Sequence, residues 1–290
     1  MNNGGLRYQV ARLGIVEKLI AINVLVFVVN ALMPFLLGLS TGALEQWFAL
    51  PRDVMTFLSR PWSLVTYSFF HGGIGHIFWN MLLLYFSGRL MLNLFGSRKF
   101  INVYFLGVMF GGLLFMLSYN IFPAFMGVSS ILIGASAGVT AVLIFVCAYS
   151  PNQEVRIIFF NVKLWQLGLA VVLIDLVQLP YGNAGGHLAH LGGAFLGYVY
   201  ARQLVKGTDI GAGFSRFLDA MANLFKTKGR KAPLKTVYRG QKSKSAATIN
   251  RAKDIHQKKI DTILDKISKS GYESLSKTEK DFLFKAGKEE

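Results

Sequence analysis

The chain has 290 residues, 53% of them hydrophobic and only 16% charged, with a mean hydropathy of +0.43. A water-soluble globule carries roughly 25% charged residues, so this composition excludes an ordinary soluble enzyme and points to a membrane protein. The net charge of +16 is unevenly placed: residues 1–200 carry 10 Lys/Arg and 5 Asp/Glu, and residues 201–290 carry 21 and 10. A basic C-terminal third favours anionic lipid headgroups as a partner and argues against nucleic acid.

In chain order, residues 1–13 form a short polar arm, and the first apolar run follows at about 16–39. That run is too long for a signal-peptide core and has no evident cleavage site, so it reads as a retained span. Further apolar runs long enough for a ~30 Å hydrocarbon core follow at about 69–92, 99–119, 134–150, 164–181 and 186–205. The expected fold is an all-α polytopic membrane protein, a bundle of six transmembrane helices over residues 14–205. Arg7, Arg12 and Lys18 precede or open the first run, Arg98 and Lys99 join the second to the third, and Arg156 and Lys163 join the fourth to the fifth. The other short connections, about 120–133 and 182–185, carry no charge. The positive-inside rule then puts both termini in the cytoplasm. The first connection, about 40–68, is rich in aromatic residues (Trp47, Phe48, Phe57, Trp62) and is expected to rest in the outer membrane interface.

Beyond the bundle, residues 206–249 read as an amphipathic helix and a basic linker. Phe214, Phe217, Leu218, Met221, Leu224 and Phe225 recur at helical spacing, and Lys226 to Lys244 contains eight basic residues and no acidic one. Residues 250–290 read as a small cytosolic helical hairpin. Ile255, Ile260, Ile263, Leu264 and Ile267 repeat on one face, Gly271 ends that helix, and Ser276 with Glu279 forms a capping box for a second helix carrying Phe282 and Leu283.

Four polar side chains share one depth in this topology. Helices two, four and six start on the same side. His76 and Asn80 on the second, Ser136 at the head of the fourth and His190 on the sixth then lie within ~10 Å of one level, at 1.5 Å rise per residue. His76 and Asn80 are four apart, as are Ser136 and Thr140, so each pair shares a face. His190, Gly193 and Gly197 form one stripe, and small residues there let two helix backbones approach closely in lipid. A serine beside a histidine supplies a nucleophile and its base. Taken singly, each feature has an ordinary packing role, and the joint depth and facing carry the inference. A metal site built from His71, His76, His187 and His190 is disfavoured, because no carboxylate is expected beside them. No cofactor or metal is therefore expected.

The pattern of His71, His76 and Asn80 (H-x4-H-x3-N), then G-x-S ending at Ser136, then H-x2-G-x3-G starting at His190, resembles the rhomboid intramembrane serine proteases. The resemblance covers about residues 14–205, and Trp62 after Pro61 is similar to the family's first-loop signature. It implies Ser136 as nucleophile and His190 as general base, a pair without a carboxylate. Asn80 and His76 would serve the oxyanion, His71 and Trp62 would be structural, and Gly134 would lie near the oxyanion site. His187 does not match the base position. Asp175, the one acid deep in a span, is expected to be structural. Three positions depart from the common pattern: Ser63 in place of arginine, Ala137 in place of glycine, and Thr140 where an aromatic ring is frequent. The implied substrates are single-span membrane proteins, and the expected location is a bacterial inner membrane. The alternatives are an inactive rhomboid-like protein that binds transmembrane partners, and a small transporter, which would want charged or broken helices at the midplane.

Overall fold

The computed structural model describes residues 12–157, 159–225 and 244–286. Arg7 with most of the N-terminal arm, and the basic linker up to residue 243, lie outside the described residues. Among the described residues, six helices build the bundle: α1 (Ile15–Leu37), α2 (Ile74–Leu94), α3 (Ser97–Ile121), α4 (Ser136–Tyr149), α5 (Leu164–Gln178) and α6 (Ala184–Val205). Four of them, α1, α2, α3 and the α5 segment, are long and apolar enough to cross a membrane. α6 has the length but is rich in glycine, and α4 has only 14 residues. The fold is all-α and polytopic, with α4 and α6 depending on their neighbours rather than on lipid.

Burial explains that division. α1 and α5 are 17% buried over their apolar windows and form the periphery, whereas α3 is 56% buried. α4 is the axis: every residue from Ala137 to Cys147 is buried, and α2, α3, α5 and α6 pack around it. Close approach comes from the glycine stripe on α6. A Cβ on Gly193 would collide with the carbonyl oxygen of Ala137, and one on Gly197 with that of Ala141. On α3, a Cβ at Gly111 would lie 2.7 Å from that of Ala137.

The short length of α4 positions its first residue. Fourteen residues rise about 21 Å, less than the ~30 Å hydrocarbon core, so α4 alone cannot span it and one of its ends lies at depth in the bundle. The chain reaches that depth as an extended segment held at three points. Ile131–Leu132 (β2) pairs antiparallel with Leu50–Pro51 (β1). The Gly134 N–H donates to the Tyr67 carbonyl at 3.0 Å. The Ala135 N–H donates to Nε2 of buried His71 at 3.4 Å.

The first connection folds into short helical turns at Glu45–Phe48, Val54–Ser59 and Ser63–Thr66. Trp62 Nε1–H donates to the Trp47 carbonyl at 2.9 Å, and the Arg60 guanidinium lies 4.4 Å above the Trp47 ring. Arg60 also donates to the Gln46 carbonyl at 2.6 Å, and the Ser63 hydroxyl donates to the Arg60 carbonyl. Arg60 and Trp62 thus anchor this loop where an arginine at 63 is missing.

A seventh helix, α7 (Ala212–Phe225), is fastened to the start of α3. Arg98 makes two bonds to Asp219, at 2.9 and 3.0 Å, and buried Asn102 donates to Gly211 O and Ser215 Oγ. Asp209 accepts from Lys99 at 2.6 Å and from Tyr200 at 2.6 Å. Burial raises the Asp209 carboxyl, but those donors prevail and hold it below its ordinary value. The described residues divide into two compact units after Lys226, with α7 in the first.

The second unit is a hairpin of α8 (Lys244–Ser270) and α9 (Lys277–Ala286). Gly271 takes φ 76° after α8, and the capping box forms: Ser276 N–H donates to Glu279 at 2.8 Å and Glu279 N–H to Ser276 Oγ at 3.3 Å.

Candidate active site

Where α4 begins, a cavity of about 340 Å³ opens, lined by His76, Asn80, Ser136 and His190 together with Ile131–Ile133, Asn183 and Gly186. All four side chains matched in depth from the sequence therefore line one space. Among the described residues no hydrogen bond joins Ser136 to His190, and they meet through the cavity they share. Larger cavities lie elsewhere: one of about 540 Å³ between α4, α5 and α6, and an apolar one of about 510 Å³ beside α1. Neither brings a serine and a histidine together, so side-chain chemistry rather than size selects the smaller one.

His76 is held in one tautomer. Its Nδ1 accepts the Gly72 N–H at 3.3 Å, so in the neutral ring the proton sits on Nε2. That Nε2 approaches the turn before Ser136: a Cβ on Gly134 would lie 2.7 Å from it and 3.6 Å from Ser136 Oγ. Gly134 also has φ +117°, where side chains are rarely tolerated. Glycine at 134 thus leaves room for a donor beside the serine. Asn80, buried on the same face of α2, gives one amide hydrogen to the His76 carbonyl at 2.9 Å and has a second. His71 lies edge-on to His76 at 5.0 Å between ring centroids, and its bond to Ala135 holds the turn that presents Ser136. Thr140, one turn below Ser136, is buried, and Ala137 packs against α3 and α6. Trp62, half-exposed in the first connection, bonds to Trp47 and is not among the cavity's lining residues.

The expectation of a histidine without a carboxylate is corrected. Asp175 Oδ1 lies 2.8 Å from His190 Nδ1 and 2.7 Å from His187 Nδ1, and Asp175 is 6% exposed. The physical reason is the tight turn between α5 and α6. Asp175 stands one turn before the end of α5, His187 and His190 stand in the first two turns of α6, and the two helices run back along each other. The same contacts correct the expectation that no acid lies near the histidines. The ligand atoms of Asp175, His187 and His190 lie within 4.8 Å of one another, a spacing compatible with a shared cation. Asn183 was also missed. It caps α6 from a left-handed conformation, φ 48°, accepting the Gly186 N–H at 3.3 Å, and it faces the cavity. An Asn-Ala-Gly-Gly run ahead of an apolar helix is the signal that could have found it.

A many-helix membrane bundle with a serine, two histidines and two asparagines around one cavity defines the class. Within it, the chain belongs to the rhomboid family: the Rhomboid domain matches residues 58–207. A second match, to a family of unknown function (DUF6576), covers residues 247–286. The chain is similar to RHOMBOID-like protein 12, mitochondrial, of Arabidopsis thaliana, with 30% identity over 161 residues, 50% of this chain and 47% of that protein. It is also similar to Presenilin-associated rhomboid-like protein A, mitochondrial, of Danio rerio, with 31% identity over 157 residues, 51% of this chain and 40% of that protein. The chain therefore spans less than half of each relative's length. Both relatives are named as mitochondrial, so they lend no support to the expected bacterial inner membrane. The chain is a multi-pass membrane protein of the rhomboid family.

Proposed function

We propose that this chain is an intramembrane serine endopeptidase that hydrolyses peptide bonds in or near the transmembrane segments of single-span membrane proteins. One observation carries the reading: Ser136, His190, His76 and Asn80, drawn from three helices, line one cavity at the sunken start of α4. In the proposed reaction, Ser136 Oγ bonds to the scissile carbonyl carbon as its proton passes to His190 Nε2, and the C=O π pair moves onto oxygen. The His76 Nε2–H, the second Asn80 N–H and the Ser136 backbone N–H donate to that oxyanion. Removing one such donor typically costs ~2.7–4 kcal/mol of transition-state stabilisation. Collapse breaks the C–N bond, and the amine leaves with the proton from His190. Water then attacks the acyl-serine, gives a proton to His190, and collapse returns that proton to Ser136.

The short α4 supports the water requirement, since its first residue is recessed in a cavity rather than sealed in lipid. We further infer cytoplasmic termini from the charge pattern, and anionic headgroups as the partner of the basic tail. A rhomboid-like protein that only binds transmembrane partners remains the competing class. The two are separated by an active-site fluorophosphonate: labelling of wild type that disappears in Ser136→Ala supports the peptidase, and equal labelling of both contradicts it.

A further inference from the structure

We propose that Asp175 is a positioning residue for His190, adding to the serine–histidine pair a carboxylate from a peripheral helix that fixes the imidazole's tautomer and orientation. This rests on the reading of Ser136 and His190 as nucleophile and base. An ionised carboxylate only accepts hydrogen bonds, so the 2.8 Å contact makes His190 Nδ1 the protonated nitrogen. The lone pair of the neutral ring is then on Nε2, the atom that must take the Ser136 proton. When it does, the ring becomes imidazolium beside a carboxylate that is only 6% exposed, where their attraction is stronger than in bulk water.

His187 gives Asp175 its own fixed orientation. Its Nδ1–H donates to the same oxygen at 2.7 Å, so the carboxylate is held from two sides and is not free to rotate away. A buried acid in a membrane helix is costly unless paired, and here its partners are two imidazoles, one of which lines the nucleophile's cavity. His187 does not line that cavity among the described residues, which divides the roles: His190 faces the reaction and His187 steadies the acid. The two cavity histidines also take opposite tautomers. Gly72 makes His76 an Nε2–H donor, and Asp175 makes His190 an Nε2 acceptor. One is set to stabilise an oxyanion and the other to remove a proton.

Full-length protein in liposomes is compared by its rate of fluorophosphonate labelling, with Ser136→Ala as the control and the melting temperature recorded for each variant. Asp175→Asn can donate to His190 Nδ1 and so favours the wrong tautomer. It is expected to label on the order of 10²–10⁴-fold more slowly with its fold retained. Asp175→Glu should recover part of that loss, and His187→Ala should lose less than Asp175→Asn. A folded Asp175→Asn that labels within about threefold of wild type, against the 10²–10⁴ expected of the general base, overturns the proposal. If Asp175→Asn does not fold, the ¹⁵N spectrum of wild type decides: His190 protonated at Nδ1 at neutral pH supports it, and an unprotonated Nδ1 overturns it. Labelling unchanged by a chelator is expected, and its loss would assign the cluster to a bound cation instead. Absent labelling of wild type would instead sink the peptidase reading on which the proposal stands.

Discussion

At the residue scale, chemistry is set by which nitrogen of each histidine carries its proton, decided for His76 by Gly72 four residues back and for His190 by Asp175 on another helix. Glycine 134 belongs to the same scale. Gly134→Ala would force a β-carbon to within 2.7 Å of His76 Nε2 at a φ of +117°. Its expected effect is a loss of labelling on the order of 10²-fold, as for removal of one oxyanion donor, with expression and melting less affected. Kinetic labelling beside a thermal melt checks this. The residues legible in the sequence were those tied by helical spacing or by a family pattern: His76 with Asn80, Ser136, and His190 with its two glycines. Asp175 was visible as a lone buried acid, but its partners sit on another helix. No periodicity within α5 points across the turn at residues 179–183. Asn183 escaped because its role depends on a left-handed backbone that spacing does not reveal.

At the scale of the element, α4 and α6 are held together by glycine against carbonyl. Gly193→Ala places a methyl against the Ala137 carbonyl, one residue after Ser136, and must push the helices apart. Overpacking of this kind costs about 1–3 kcal/mol. A melting temperature lowered by roughly 2–10 °C, with slower labelling of Ser136, is expected. The stripe was readable in advance because i, i+3, i+7 spacing is geometry. The start of α4 was readable too, at about 134 against the observed Ser136; what spacing did not reveal is the extended stretch before it, held by the pairing of Ile131–Leu132 with Leu50–Pro51. In the hairpin, the Ser276 backbone N–H and then Lys266 lower the Glu279 carboxyl to about 2 from an ordinary 4.5. A carboxyl depressed in the folded state stabilises fully above its unfolded value. The α9 cap is therefore intact at neutral pH and weakens as pH falls from about 4.5 toward 2. Hydrogen exchange of the first α9 amides should accelerate over that window, and Glu279→Gln should exchange faster already at pH 7.

At the scale of the whole molecule, the bundle and its tail are separable at a point that composition alone did not mark. The basic content changes near residue 205, yet the chain to residue 225 is tied to α3 by Arg98, Lys99 and buried Asn102. Ending the chain at Lys226 should leave Ser136 labelling at the wild-type rate. Ending it at Val205 would remove Asp209, Gly211 and Ser215 and leave Asn102 buried without those partners, so it should lower stability. Paired melts and labelling of the two truncations check this. The central claim is hydrolysis at Ser136 assisted by His190, and the most direct measurement is cleavage of a single-span membrane protein in liposomes. Wild type should cut it, and Ser136→Ala and His190→Ala should not. Equal processing by all three, or by none, would contradict the account.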